Sequence, residues 1–296
     1  MSWVLFGLLA GVTLGFYDYW TKKAMAGNGV FPVVFWSSLF GAFAWLPFFL
    51  PFTSGNAFHV DLARLDWSSQ SLILLKGVAM TASWLFAYFS VRELPMSFSG
   101  AVRASGPIWT FIGGVLVFGD YLTPVQMSAV LISVLAYYLL SQIGKSEGIS
   151  ALKSLPMAMM LVATILSALT TVYDKYIVQQ LGLPVADIQA WSAIHRFMIA
   201  GLVLALVVVK TRVRQPVVWS IWIPLTGLSW VLAEWIYFLA IADPDANVTY
   251  LSVFRRTSLV VGFLLSVTLI GERNVRRKSI VIALILASTA TLVLQK

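Results

Sequence analysis

Cysteine is missing from all 296 positions, which excludes a disulfide framework, a thiol nucleophile and a cysteine-ligated metal. Only two histidines occur, and charged residues make up 11% of the chain, where a soluble domain carries about a quarter. No GxxxxGKS or GxxxxGKT loop is present, so direct use of ATP through such a loop is excluded. The acid pair in Asp243-Pro244-Asp245 has the composition of a turn and helix start rather than a metal site. These residues supply neither a metal cluster nor a nucleophile with its base. An integral membrane enzyme is therefore the weaker class, and no cofactor and no metal are expected.

What the chain has is apolar: 59% of its residues. Apolar runs recur along the whole length, most of them about 20 residues long, enough for a helix to cross a ~30 Å hydrocarbon core. The expected spans are 3–22, 31–52, 69–91, 95–118, 124–143, 153–178, 187–209, 216–241, 247–270 and 276–294. The first is as long as a full crossing and lacks a basic leader or small-residue cleavage signal, so it is expected to stay as a span. The expectation is an all-α polytopic membrane protein with ten transmembrane helices and the lipid bilayer as its first partner.

The net charge of +8 sits in the connections, which argues against nucleic acid as a partner. Taking alternate connections, one face carries Lys22, Lys23, Arg92, Lys145, Lys153, Lys210, Arg212, Arg214, Arg273, Arg276, Arg277 and Lys278. The other carries Arg64, Lys175 and the terminal Lys296. By the positive-inside rule the first face is cytoplasmic. Both termini are then non-cytoplasmic, in what is expected to be a bacterial inner membrane.

Self-similarity appears at an offset of about 150 residues. FYDYW at 16–20 matches VYDKY at 172–176, Trp36-Ser37 matches Trp191-Ser192, and ASWLF at 82–86 matches AEWIY at 233–237. Arg103 falls opposite Arg255, and Gly119-Asp120 opposite Gly271-Glu272, both at an offset of 152. With five spans per half, the halves enter the membrane from opposite sides. The expected domains are 1–145 and 146–296, two inverted five-helix repeats around a central cavity. Such repeats recur in secondary transporters, with the solute near the midplane and access alternating as the halves rock.

LPMSFSGAVRASGPIWTFIGGVLVFGDYLT at 94–123 and ADPDANVTYLSVFRRTSLVVGFLLSVTLIGER at 242–273 resemble the paired fourth and ninth helices of the drug/metabolite transporter superfamily, EamA type. AIHRFMIAGLVLAL at 193–206 is similar to that family's arginine-bearing seventh helix. The resemblance implies ten helices in two repeats, moving amino acids, metabolites, drugs or sugar conjugates without ATP. The second span, WSSLFGAFAWLPFF, lacks a partner for Arg196, which makes Arg196 look like framework. The adjacent Arg255 and Arg256 also resemble the two basic residues by which the ninth helix of sugar-phosphate translocators contacts phosphate.

An arginine at a span centre costs ~2.5 to 3.5 kcal/mol on insertion scales, so Arg103, Arg255 and Arg256 are candidates for substrate binding or gating. Arg103 and Arg255 each lie about nine residues into their spans, roughly 13 Å deep. Pro107 removes the helix hydrogen bond to the carbonyl of Arg103 and is expected to kink the helix. Adjacent helical residues point about 100° apart, so one of Arg255 and Arg256 is expected to face the cavity, and the repeat favours Arg255.

Glu234 is the costly carboxylate, able to carry a proton, bind an amine or pair with arginine. Trp84, Tyr88, Trp235 and Tyr237 flank the matching sites and are candidates for the solute wall, with packing or an interfacial belt as the plainer reading. Asp18, Asp174 and His195 join Glu234 as candidates for proton coupling, although Asp18 also stands at i,i+4 spacing from Lys22. Lys76 and Arg196 fall inside spans too. Gly7, Gly11 and Gly15 have the spacing of a close helix contact.

The favoured solute is an anionic or zwitterionic metabolite, an amino acid or phosphorylated compound, because guanidinium matches carboxylate and phosphate. It would move by secondary active transport or exchange with a proton or counter-substrate. The rival is a cationic or aromatic drug or amine exporter, with Glu234 and the aromatics as recognition groups and the arginines locked in ion pairs. Monomer and dimer are both left open.

Overall fold

The computed structural model describes residues 2–50, 59–61, 65–103, 105–119, 123–145, 154–212, 215–269, 271 and 274–294. Arg64, Ala104, Asp120, Lys153, Arg214, Glu272, Arg273 and Lys296 lie outside them. The order is α1 Ser2–Ala24, α2 Val30–Trp45 with a 3-10 turn Leu46–Phe49, α3 Trp67–Glu93, α4 Met96–Arg103, α5 Gly106–Phe118 and α6 Pro124–Lys145. Then come α7 Leu155–Lys175 with a π turn Tyr176–Gln180, α8 Val185–Thr211, α9 Trp222–Ile241, α10 Val248–Phe254, α11 Thr257–Leu269 and α12 Val275–Leu294. The described residues are all-helical, without a strand.

Among the described residues, helix takes up most of each apolar run, and six segments are both long and apolar enough to cross a membrane: Val30–Phe49, Trp67–Glu93, Leu155–Gln180, Val185–Thr211, Trp222–Ile241 and Val248–Leu269. The polarity runs from inside to outside. On α8, Ala190, Ala193, Arg196 and Ala200 are buried while Leu202, Leu206 and Val209 are exposed. Such apolar outer faces would aggregate in water and suit a lipid surround.

The helix expected at 216 begins instead at Trp222. Residues 216–221 are held by the α1–α2 turn: the Gly29 N–H donates to the Pro216 carbonyl at 3.0 Å, and Asn28 Nδ2 donates to the Val218 carbonyl at 3.1 Å. At the start of α3, Asp66 accepts from the Ser69 N–H at 2.8 Å as an N-cap. Hydrogen bonding from the Ser69 hydroxyl, and then from its backbone N–H, holds the Asp66 carboxyl below the usual range.

Two expected spans are broken. The first divides into α4 and α5 around Ser105, with Pro107 in the first turn of α5; the proline has no N–H to offer the carbonyl four residues back. The second divides into α10 and α11 at Arg255-Arg256 without a proline. There the backbone tightens to i→i−3 bonds, Arg256 to Val253 at 2.9 Å and Leu259 to Arg256 at 2.9 Å. The Thr257 hydroxyl donates to the Phe254 carbonyl at 2.9 Å, a local bond that competes with the helix ladder.

The packing has a regular plan. Helix α1 lies on α9 and α11, as α7 lies on α3 and α5; α2 packs on α9 as α8 packs on α3; α2 also meets α8, and α6 meets α12. The glycines of α1 let it lie on the second break. A Cβ on Gly11 would sit 2.6 Å from the Phe254 carbonyl oxygen and 3.2 Å from the Arg255 Cα.

Candidate solute site and its charge network

Between α1, α3, α4, α7, α9 and the α10–α11 joint lies a cavity of about 40 Å³. Its wall includes Tyr17 and Asp18 of α1, Trp84 and Tyr88 of α3, Arg103, Thr164 and Ser167 of α7, Trp230, Arg255 and Arg256. Thr21, Val91 and Met160 also line it, so it lies at the end of the bundle where α1 and α3 finish and α7 starts. At that end Lys22 Nζ donates to the carbonyls of Val91 at 2.6 Å and Leu94 at 2.8 Å. The cavity has room for a few waters, far less than an organic solute needs.

Two groups of charges adjoin it. In the first, Arg103 makes an ion pair with Asp18, tying α4 to α1. The Arg256 guanidinium donates through Nη1 to the main-chain carbonyl of Arg103, and through Nε to the Ser252 carbonyl at 3.0 Å. The carbonyl that Pro107 leaves without a helix donor is thus used by the other broken span. Nearby, Tyr17 Oη donates to Tyr88 Oη at 3.1 Å.

The second group is buried deeper. Arg255 Nη2 is 2.9 Å from Glu234 Oε1, and Lys76 Nζ lies 2.5 Å from Asp174 Oδ1 and 3.9 Å from Glu234 Oε2. All four side chains are buried. Arg255 also sits 4.4 Å from the Tyr237 ring centre, and Lys76 4.3 Å from that of Phe238, as cations do over aromatic faces. The charges alternate along Asp174, Lys76, Glu234 and Arg255 and sum to zero. Such a network survives at low dielectric because every charge faces an opposite one, and removing a single member would leave a buried charge uncompensated.

Arg255 and Arg256 both border the cavity, contrary to the expectation that only one would face it. The tightened turn still sets the two side chains about 120° apart; both nevertheless reach the cavity border, with Arg256 folded back to the Ser252 and Arg103 carbonyls.

Trp84 and Tyr88 are on the cavity wall, whereas Trp235 packs 5.4 Å from Trp45 in a separate apolar cluster. Tyr237 belongs to the deeper charge group. His195 lies beside Trp191, with its Cβ against Gly77 of α3, away from the cavity wall. Sequence reasoning placed Lys76 inside a span without giving it a role and set Arg196 aside as framework. Arg196 is buried, 4.8 Å from the Trp84 ring centre and 5.5 Å from that of Trp230, and has no carboxylate within 4 Å among the described residues. The available signal was the same for both: a cation inside an apolar run.

Residues 1–142 match the model of the EamA-like transporter family. No curated protein matches the chain. Twenty-eight chains of solved structures do. One of them, a crystal structure titled simply as that of a protein, is 15% identical and aligns with 99% of this chain and 95% of its own at a TM-score of 0.66, a likeness of fold alone. The match covers α1, the α4–α5 break and Arg103 described above; residues 1–142 are EamA-like, of the drug/metabolite transporter superfamily, and with six membrane-length apolar helices among the described residues the chain is an integral membrane protein.

Proposed function

We propose that the protein carries a small anionic or zwitterionic metabolite across the membrane by alternating access, as a secondary active transporter or exchanger. The observation that carries this reading is the make-up of the cavity wall, where three arginines, Arg103, Arg255 and Arg256, stand with one carboxylate, Asp18. An incoming carboxylate or phosphate would meet guanidinium groups, which suit both. The amine-exporter reading needs a receptive Glu234, and here that carboxylate already faces two cations.

The proposed architecture is ten membrane helices in two inverted halves, 1–145 and 146–296, each with one broken span. The reciprocal packing of α1 on α9 and α7 on α3 supports it, as does the pairing of Arg103 with Arg255. The basic residues Lys22, Lys23 and Arg92 lie at the end nearest the cavity, which by the positive-inside rule is the cytoplasmic end. Both termini are then external, and the cavity belongs to a nearly closed, inward-leaning state with the Lys76 to Arg255 network sealing the far side. Arg103 would exchange Asp18 for the solute anion, and Arg255 would exchange Glu234 for it as the halves rock.

A thermal-shift panel on the purified protein tests the substrate class, since a ligand that binds the folded state stabilises it by mass action. Carboxylates and phosphates are expected to raise the melting temperature and quaternary amines to leave it unchanged. Stabilisation by amines alone, followed by their uptake into proteoliposomes, would overturn the anion reading.

A further inference from the structure

The transport reading leaves the driving ion open, and two features bear on it. Lys76 and Asp174 are in very close contact, 2.5 Å apart, with Glu234 as a second carboxylate 3.9 Å from the same ammonium. Lys76 therefore stands between two acceptors, close to one and within reach of the other. The second feature is a polar stripe on α7. Thr164, Ser167, Thr171 and Asp174 are spaced 3, 4 and 3 residues apart, which puts them on one helix face. Thr164 and Ser167 line the cavity, and Asp174 lies seven residues beyond Ser167, about 10 Å along the axis.

We propose that Asp174, held by Lys76, is a proton-binding site reached from the cavity along the Thr164–Ser167–Thr171 face, and that protonation releases Lys76 towards Glu234. One hydronium supplies the proton. An O–H bond forms on the Asp174 carboxylate, the hydrogen bond from Lys76 breaks, and the ammonium keeps its three protons. The network passes from neutral to one net positive charge. One proton would then travel with one monovalent anion, and this coupling rests on the anion-transport reading, whereas the site itself does not.

The surroundings favour Asp174 as the group that changes state. From α9 it faces Glu234 and Tyr237, from the α10–α11 joint Arg255, and from α8 the more distant Arg196, while His195 of α8 packs on Gly77 of α3. Helices α2 and α5 bring no titratable side chain, while α10 brings Tyr250 and α7 itself Tyr173, both at the apolar cluster below, and α7 also brings Lys175, whose ammonium lies 4.6 Å from the Phe118 ring centre on α5. Glu234 is clamped by Arg255 at 2.9 Å as well as faced by Lys76. Asp174 has Lys76 as its ion-pair partner, so a single side-chain movement frees it.

The test is substrate-independent: infrared difference spectroscopy of the full chain in liposomes, titrated from alkaline to acid buffer. A protonated-carboxyl stretching band is expected to appear, to move on carbon-13 labelling of aspartate, to shrink in Asp174→Asn and to persist in Glu234→Gln. In Lys76→Gln it should appear in more alkaline buffer, because the stabilising cation is gone. A band unchanged in Asp174→Asn, a band lost only in Glu234→Gln, or no carboxyl band in the folded wild type would overturn the site. If Asp174→Asn does not fold, Asp174→Glu decides, since an unmoved band overturns the assignment. Anion uptake by the same liposomes with a silent spectrum would sink this site and leave the transport reading standing.

Discussion

Arg256 donates to the main-chain carbonyl of Arg103, so the breaks in two distant helices are joined by a single hydrogen bond. Pro107 makes that bond possible by withholding its own donor. Arg256→Ala should cost about 1–3 kcal/mol of stability, the range for stranding a buried acceptor. Pro107→Ala added to it should recover part of the loss, because the new N–H can reach the same carbonyl. Thermal unfolding of the purified single and double variants measures both effects.

Glu234→Gln strands Arg255 as a buried cation, while Lys76 keeps Asp174 at 2.5 Å, and should destabilise by ~3–5 kcal/mol, as breaking a buried pair does. Arg255→Met in the same chain should restore much of that stability, since replacing both partners removes the uncompensated charge. Transport should stay impaired in the double variant. A variant that regains both stability and uptake would show that the pair serves folding alone.

Gly11 faces the second break at main-chain distance. Gly11→Ala should cost about 1–3 kcal/mol through overpacking, and Gly11→Leu should prevent folding. Ala substituted at Gly7, where the nearest atoms are side-chain carbons of Leu251 and Phe254 at 3.0 Å, should be milder. Gly7→Ala should melt above Gly11→Ala, and Gly11→Leu should show no cooperative melting transition.

The native chain has no cysteine, so single cysteines report without background. Ala87→Cys and Ala163→Cys, on the cavity wall, should react with an impermeant maleimide added from the cytoplasmic side. Ile73→Cys and Ala240→Cys, buried beyond the charge network, should not react from either side. Labelling of the first pair only from outside would reverse the orientation proposed above.

The helical class was legible because membrane-length apolar runs leave the backbone few alternatives. The α4–α5 break was legible too, since Pro107 announces it. Nothing comparable marks the second break: it comes from a threonine hydroxyl, Thr257, and from glycines 240 residues away in sequence closing on it. The costly residues Arg103, Arg255 and Glu234 stood out one at a time, but their partners did not. Asp18 was visible as part of a repeated motif, and its contact with Arg103 across 85 residues is a product of packing. Trp235 shows the limit of spacing arguments, because two aromatics two residues apart, Trp235 and Tyr237, face different clusters.

The alternation of signs along Asp174, Lys76, Glu234 and Arg255 has an electrical consequence. A charge moved across a membrane potential gains or loses about 2.3 kcal/mol per 100 mV. A network with two charges of each sign can shift as a body through that field without such work. A proton alone would make the same displacement voltage-sensitive, and a monovalent anion bound with it cancels that charge, so the loaded and the empty network would both cross without work against the potential.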